Sequence, residues 1–204
     1  WDLKNPANPK TVHGFLAEAI SRRRAAETRP FTILCCDNLP ANGATLRRLL
    51  VAFAKLRGAE FGRFVEEEIA FPSSMVDRIV PATTDEDRAR IGQALGVADA
   101  WPVTTEPFLQ WVIEDNFPGG RPNWDRFGVE MVKDVAPFED MKLRLLNGSH
   151  STIAYLGLLS GHATVSEAFA NPLIREFVTR LWAEAIPSLP MDAGLKPEAY
   201  TAEL

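Results

Sequence analysis

The feature that most constrains this chain is a six-residue apolar run, Phe31-Thr32-Ile33-Leu34-Cys35-Cys36, set between two amphipathic helical patterns. A short run without alternation is the mark of a strand covered on both faces, as in a parallel sheet. Before it, Thr11 is a suitable N-cap, and Val12, Phe15, Leu16, Ala19 and Ile20 recur at helical spacing. Arg22, Arg23 and Arg24 stand at the carboxyl end, where the helix dipole favours cations. Pro30 ends that helix. After the run, Asp37-Asn38-Leu39-Pro40-Ala41-Asn42-Gly43 is a tight polar connection, and Leu46, Leu49, Leu50 and Phe53 place a second helix ending near Gly58. Helix, strand, loop, helix is an α/β unit. Its loop leaves the carboxyl end of the strand, the edge at which open α/β sheets bind ligands.

The mixed pattern continues. A third helix over 60–70 turns Phe61, Phe64, Val65 and Ile69 inward and stops before Pro72. Residues 73–80 read as a strand or extended loop. Thr84 and Asp87 have capping-box spacing, with Asp in place of the usual Glu or Gln, and the helix they open ends at Gly96. Residues 103–105 and 108–113 are strand-like, 117–122 form a strong turn, and 128–135 are a further strand candidate. Pro137 then opens a helical stretch to about residue 189, broken near Gly161 and restarted at Asn171-Pro172. Leu173, Phe177, Leu181 and Ala185 are expected on its inner face, and residues from 190 onward read as a loop and a short capping segment. The expected fold class is therefore α/β followed by all-α, divided into residues 1–136 and 137–204.

Composition excludes several functions. A chain 46% hydrophobic and 24% charged can bury a core. Its net charge of −5 argues against a nucleic-acid partner, which needs a basic surface. No run approaches the 18 or so apolar residues of a membrane span, so no membrane partner is expected. No signal peptide is read before the first helix, and two adjacent cysteines make no disulfide framework; a reducing, cytoplasmic setting is expected. Adjacent cysteines in a strand point to opposite faces, and His13, His150 and His162 lack ligand spacing, so no metal site is expected. Neither GxGxxG nor GxxxxGK[ST] is present. Trp1, Trp101, Trp111, Trp124 and Trp182 are expected mostly as core or interface packing.

One helical segment carries polar groups where a packed helix would not. At about 100° per residue, with Lys142 at zero, Glu139 falls at about 60°, His150 at about 80° and Asn147 at about 140°. An amine, an amide, an imidazole and a carboxylate on one side of a helix can hold a hydroxyl or carbonyl group. The amine could accept the alcohol proton, and the amide could donate to the developing alkoxide. The alternative is a solvated helix face. Gly148-Ser149 weakens the helix and hints at close approach by another group. Asn38 stands where a side chain can reach a ligand, or is simply a turn residue. Asp77 beside Arg78 is read first as a local ion pair.

Taken together, these blocks resemble the long-chain polyol dehydrogenases, the family of mannitol 2-dehydrogenase, fructuronate reductase and tagaturonate reductase. Cys36-Asp37-Asn38 with Asn42-Gly43 is similar to its strand-end motif. Residues 71–81 (Phe-Pro-Ser-Ser-Met-Val-Asp-Arg-Ile-Val-Pro) match a second block, and Glu106-Pro107-Phe108 with Gln110-Trp111-Val112 and Glu114-Asp115 a third. Lys142-x4-Asn147-x2-His150 matches the catalytic helix. The blocks run in order over about residues 10–200.

The resemblance implies the later part of a Rossmann-like nucleotide-binding domain followed by the start of a mainly helical substrate domain. It implies zinc-independent, NAD- or NADP-dependent interconversion of a secondary alcohol and a ketone, on a polyol, keto sugar or hexuronate. It makes Lys142 the general acid/base, Asn38 and Asn147 the oxyanion hole, His150 an orienting group and Glu139 a gate for protons. Asp77 and Val76 would line the junction of cofactor and substrate. Residues 112–117, 147–151 and Arg121-Pro122-x-Trp124 look closer to fructuronate reductases. The family's glycine-rich half and its later helices have no counterpart, so the chain, which starts at Trp1, reads as the middle of a longer enzyme. A non-catalytic carbohydrate-binding or interaction module on the same scaffold is the alternative.

Overall fold

Three helices build the first core. In the computed structural model, which describes residues 1–190 and 194–204, α1 (Val12–Ala25) starts where Thr11 accepts a hydrogen bond from the Gly14 amide. Asp2 locks the preceding loop by accepting from the Lys10 and Thr11 amides at 2.8 and 3.0 Å. Helices α2 (Asn42–Arg57) and α3 (Ala59–Glu68) pack against each other through Leu50, Val51, Ala54 and Val65, joined by Ala17 and Ile20 of α1. Val12 and Phe15 lie outside this contact and are exposed, so the apolar stripe of α1 is narrower than its spacing suggested.

The expected parallel strand over residues 31–36 is not formed. Of that run only Ile33 is buried, and a single backbone bond, Ile33 N to Ala70 O at 3.0 Å, ties it to the preceding core. A strand needs a ladder of partners, and none of the described residues lies alongside to continue one. The segment is extended and still delivers Cys36, Asp37 and Asn38 to one edge.

The sheet is small: β1 (Ser74–Asp77), β2 (Gln110–Glu114) and β3 (Glu130–Val132) in that order. β1 and β2 are antiparallel, with Ser74 opposite Ile113 and Asp77 opposite Gln110; β2 and β3 are parallel. Residues 103–105, expected as a strand, are irregular. The helix α4 (Asp85–Leu95) has the capping box at Thr84 and Asp87 and ends at Gly96 with φ 71°. Trp111 stacks on Trp124 at 5.9 Å, but Trp1 and Trp101 are exposed rather than packed.

From Ala136 the chain is helical: α5 (Ala136–Met141), a π-helical turn (Lys142–Asn147), α6 (Gly148–Leu159), α7 (Val165–Ala170), α8 (Pro172–Ala185) and α9 (Pro197–Glu203). The second core joins sheet to helices through Met75, Val112, Phe138, Met141, Leu145 and Tyr200. The third is Ile153, Ala168, Ile174 and Val178. The inner face of α8 is thus Ile174, Val178, Trp182 and Ala185, while Leu173 and Phe177 are exposed. The expected stripe was displaced by one residue because two apolar stripes run side by side on α8, and only contact with α6 and α7 selects between them. The loop expected from residue 190 falls in part on 191–193, outside the described residues. No described helix is long and apolar enough to cross a membrane.

Candidate active site

Three segments converge on one amine. Lys142 Nζ donates to the Val76 carbonyl at 2.8 Å and to Asn38 Oδ1 at 3.2 Å, and lies 3.9 Å from Asp77 Oδ1. These contacts bridge 104 residues to the polar loop and 66 to β1. Around them is an open cavity of about 300 Å³, lined by Asp37, Asn38, Val76, Glu139, Lys142 and Asn147 among others. Of the residues singled out from the sequence, Asn38, Val76, Glu139, Lys142 and Asn147 share that cavity. Asp77 faces the lysine from behind, at the end of β1.

The helix that carries Lys142 is not regular there. Its turn closes with an i to i−5 bond, Gly148 N to Leu143 O, so residues five apart stand nearly above one another. Lys142 and Asn147 are five apart. In a regular α-helix they would diverge by about 140°; the π-turn brings them to one side. Gly148 is not a point of close approach: a Cβ there would meet only Leu143 O, at 3.7 Å. Ser149 instead accepts from Trp182 Nε1 at 2.7 Å and donates to Leu145 O, pinning the helix to α8.

His150 is not brought to the lysine's cavity. It lines a neighbouring one of about 350 Å³ with Leu146, Ser149, Ile153, Phe169 and Trp182. Glu139 does reach across. Both its oxygens accept from the Ala41 amide at 3.1 Å, at the start of α2, where Ala41 has a left-handed φ of 47° and no side-chain cap. Burial, with the charges of Glu114, Asp134 and Asp140, pushes the Glu139 carboxyl above the usual carboxylate range; the Ala41 amide opposes this. Asp77 is not paired with its neighbour Arg78. The Arg78 side chain donates to the Glu106 carbonyl at 3.0 Å.

Two residues important to this geometry carried no role in the sequence reading. Asn42, almost wholly buried, donates to the Asp37 and Ser74 carbonyls at 2.9 and 2.8 Å and accepts from the Ser74 amide at 2.9 Å. It fastens the loop that carries Asn38 to the strand that carries Val76. Next to it, a Cβ on Gly43 would come within 2.5 Å of Phe71 O, so only glycine lets α2 seat against this backbone. Asn42-Gly43 stood in the strand-end motif, but its function there is visible only from the three bonds. Tyr200, from α9, donates to Asp77 Oδ2 at 2.8 Å and had no sequence signal.

Comparison with known proteins places the chain. Residues 4–126 match the family profile described as the mannitol dehydrogenase Rossmann domain, and residues 134–204 match the mannitol dehydrogenase C-terminal domain. The chain belongs to the mannitol dehydrogenase family. It is 46% identical over its whole length to "Mannitol dehydrogenase DSF1" of Saccharomyces cerevisiae and 45% identical to the D-mannonate oxidoreductase of Escherichia coli. It covers 41% and 42% of those two proteins. Among solved structures, a ternary complex of Pseudomonas fluorescens mannitol 2-dehydrogenase with NAD and D-mannitol superposes with a TM-score of 0.83 at 44% identity, over 99% of this chain and 41% of that one. A substrate-free D-sorbitol dehydrogenase gives a TM-score of 0.93 at 37% identity, with similar coverage. This mannitol dehydrogenase family member thus spans about two fifths of each relative. The fold is a Rossmann-type α/β part followed by a helical part.

Proposed function

We propose that this family member carries the proton-transfer half of an NAD-dependent oxidoreductase acting on a polyol or sugar acid. The carrying observation is the pair of contacts made by Lys142 Nζ, to Val76 O at 2.8 Å and Asn38 Oδ1 at 3.2 Å. A neutral amine has two N–H bonds and one lone pair. With both N–H bonds directed at Val76 O and Asn38 Oδ1, the lone pair is left for the alcohol proton. In the reverse direction the ammonium returns that proton to the ketone oxygen.

Asn38 accepts from the lysine through Oδ1, which leaves its Nδ2 amide without a partner among the described residues and free to donate to the reacting oxygen. Asn147, on the same side of the π-turn, supplies the second donor. Glu139, its carboxyl held above the usual range by burial and placed at the cavity wall, takes up and releases the proton that Lys142 exchanges. Val76 and Asp77 form the wall between substrate and cofactor. His150 orients the substrate or the lysine only after a side-chain movement out of its own cavity.

A cavity of about 300 Å³ is at the small end of ligand sites. It fits the reacting end of a substrate beside a nicotinamide ring, not a whole dinucleotide. Bound NAD or NADP would supply the hydride acceptor. The chemistry assigned to this chain needs no zinc, because the amine moves the proton and the amides hold the charge. Identities of 46% and 45% with the mannitol and mannonate enzymes leave both keto substrates, fructose and fructuronate, to be assayed. The domain division at 136/137 belongs to the same proposal; the family matches stop at 126 and resume at 134, a few residues before it.

The test is Lys142→Ala in the complete polypeptide, with NADH absorbance followed in chelator-treated buffer. We expect the parent to turn over fructose or fructuronate and the variant to lose about 10²–10⁴-fold in kcat. Turnover retained by the variant, or a parent silenced by the chelator, overturns this reading.

A further inference from the structure

Asp77 divides its two oxygens between two partners. Oδ2 accepts the buried Tyr200 hydroxyl at 2.8 Å, and Oδ1 faces Lys142 Nζ at 3.9 Å. The second distance is too long for a hydrogen bond, yet close enough for the carboxylate charge to act on the amine. We propose that Tyr200 is a positioning residue for the acid/base lysine: it holds Asp77 back from a direct ion pair and draws off part of the charge that Lys142 feels. The proposal rests on the reading of Lys142 given above.

Without the tether, Asp77 and Lys142 could close to a bonded pair. A carboxylate in contact with an ammonium keeps it charged, and a lysine that stays charged cannot accept the alcohol proton. The phenol is well placed for the opposite effect. It is 6% exposed, packs in the second core and lies 6.2 Å from the Phe108 ring. Burial first, and then the Asp77 charge and hydrogen bond, move its ionisation far upward, so it remains a donor throughout the neutral range. Asp77 is the ion-pair partner of Lys142 among the described residues. Asp37, Glu139 and Asp140 line the cavity around the amine, and Glu130, Lys196 and Glu203 line the one beside the Tyr200 ring. Because Tyr200 comes from α9 and Asp77 from β1, 123 residues apart, the geometry at the lysine depends on where α9 docks.

The measurement is the pH profile of kcat for alcohol oxidation by the complete polypeptide. Tyr200→Phe removes one oxygen and the tether. We expect its half-maximal pH to rise by about half a unit to one unit, with KM changed less than twofold. Asp77→Asn should move the profile down, and in that background Tyr200→Phe should add nothing. A Tyr200→Phe enzyme with an unmoved profile, whatever its melting temperature, shows a merely structural hydrogen bond and overturns the proposal. If Tyr200→Phe does not fold, fluorotyrosine placed at position 200 keeps the donor and strengthens it. The profile should then move to lower pH, and no movement is again a refutation. Lys142→Ala is run alongside. Turnover surviving in it removes the lysine reading itself, whereas loss of turnover there with an unmoved Tyr200→Phe profile removes the tether alone.

Discussion

At the scale of single residues, the site depends on groups that fasten backbone as much as on groups that face substrate. Asn42 bonds three backbone atoms at once, the Asp37 carbonyl and the buried amide and carbonyl of Ser74. Its replacement by alanine leaves the buried Ser74 amide and carbonyl without this partner, while the Asp37 carbonyl keeps the Leu39 amide at 2.9 Å, and we expect a cost of about 2–4 kcal/mol. The melting temperature of the 204-residue chain should fall by roughly 5–15 °C, as read by calorimetry or circular dichroism. An unchanged melting temperature would show that water replaces the amide without loss. Asn38 and Lys142 were legible beforehand because motifs and a helical wheel bring such residues to notice. Asn42 and Tyr200 were not, since a buried amide and a distant phenol are ordinary residues until their partners are known.

Among the elements, the π-turn decides which side chains meet. The wheel drawn at about 100° per residue set Asn147 at the far edge of the polar face; the i to i−5 closure over Lys142–Asn147 brings it to the lysine's side, where both line one cavity. A π-turn is an α-helix with one residue too many. Capping signals were read correctly from sequence at Thr11, Thr84 and Gly96, because a cap is a contact within a few residues. The run at residues 31–36 and the inner face of α8 were misread, because strand pairing and the choice between two apolar stripes are settled by distant neighbours.

For the whole molecule, the second core joins the sheet to the helical part and so sets Lys142 against Val76 and Asp77. The sequence contains the lysine proposed for proton transfer but no glycine-rich dinucleotide turn. Hydride transfer needs a held and oriented nicotinamide. We therefore expect the 204-residue chain alone to show no NADH-linked turnover of fructose, fructuronate or mannitol, where the complete polypeptide does; turnover by the chain alone would refute this. What the sequence by itself determined was local or additive: helix limits, caps, the acidic balance, the α/β-then-α order and the ordered blocks that mark the family. What only the tertiary structure decided was which residues meet across a long loop. The amine finds Asn38 from 104 residues away, the phenol finds Asp77 from 123, and His150, eight residues along the same polypeptide stretch, lines another cavity. Short-range contacts follow from the order of residues, but contacts between distant segments follow from which apolar faces bury each other, and that choice is made only when all of them pack at once.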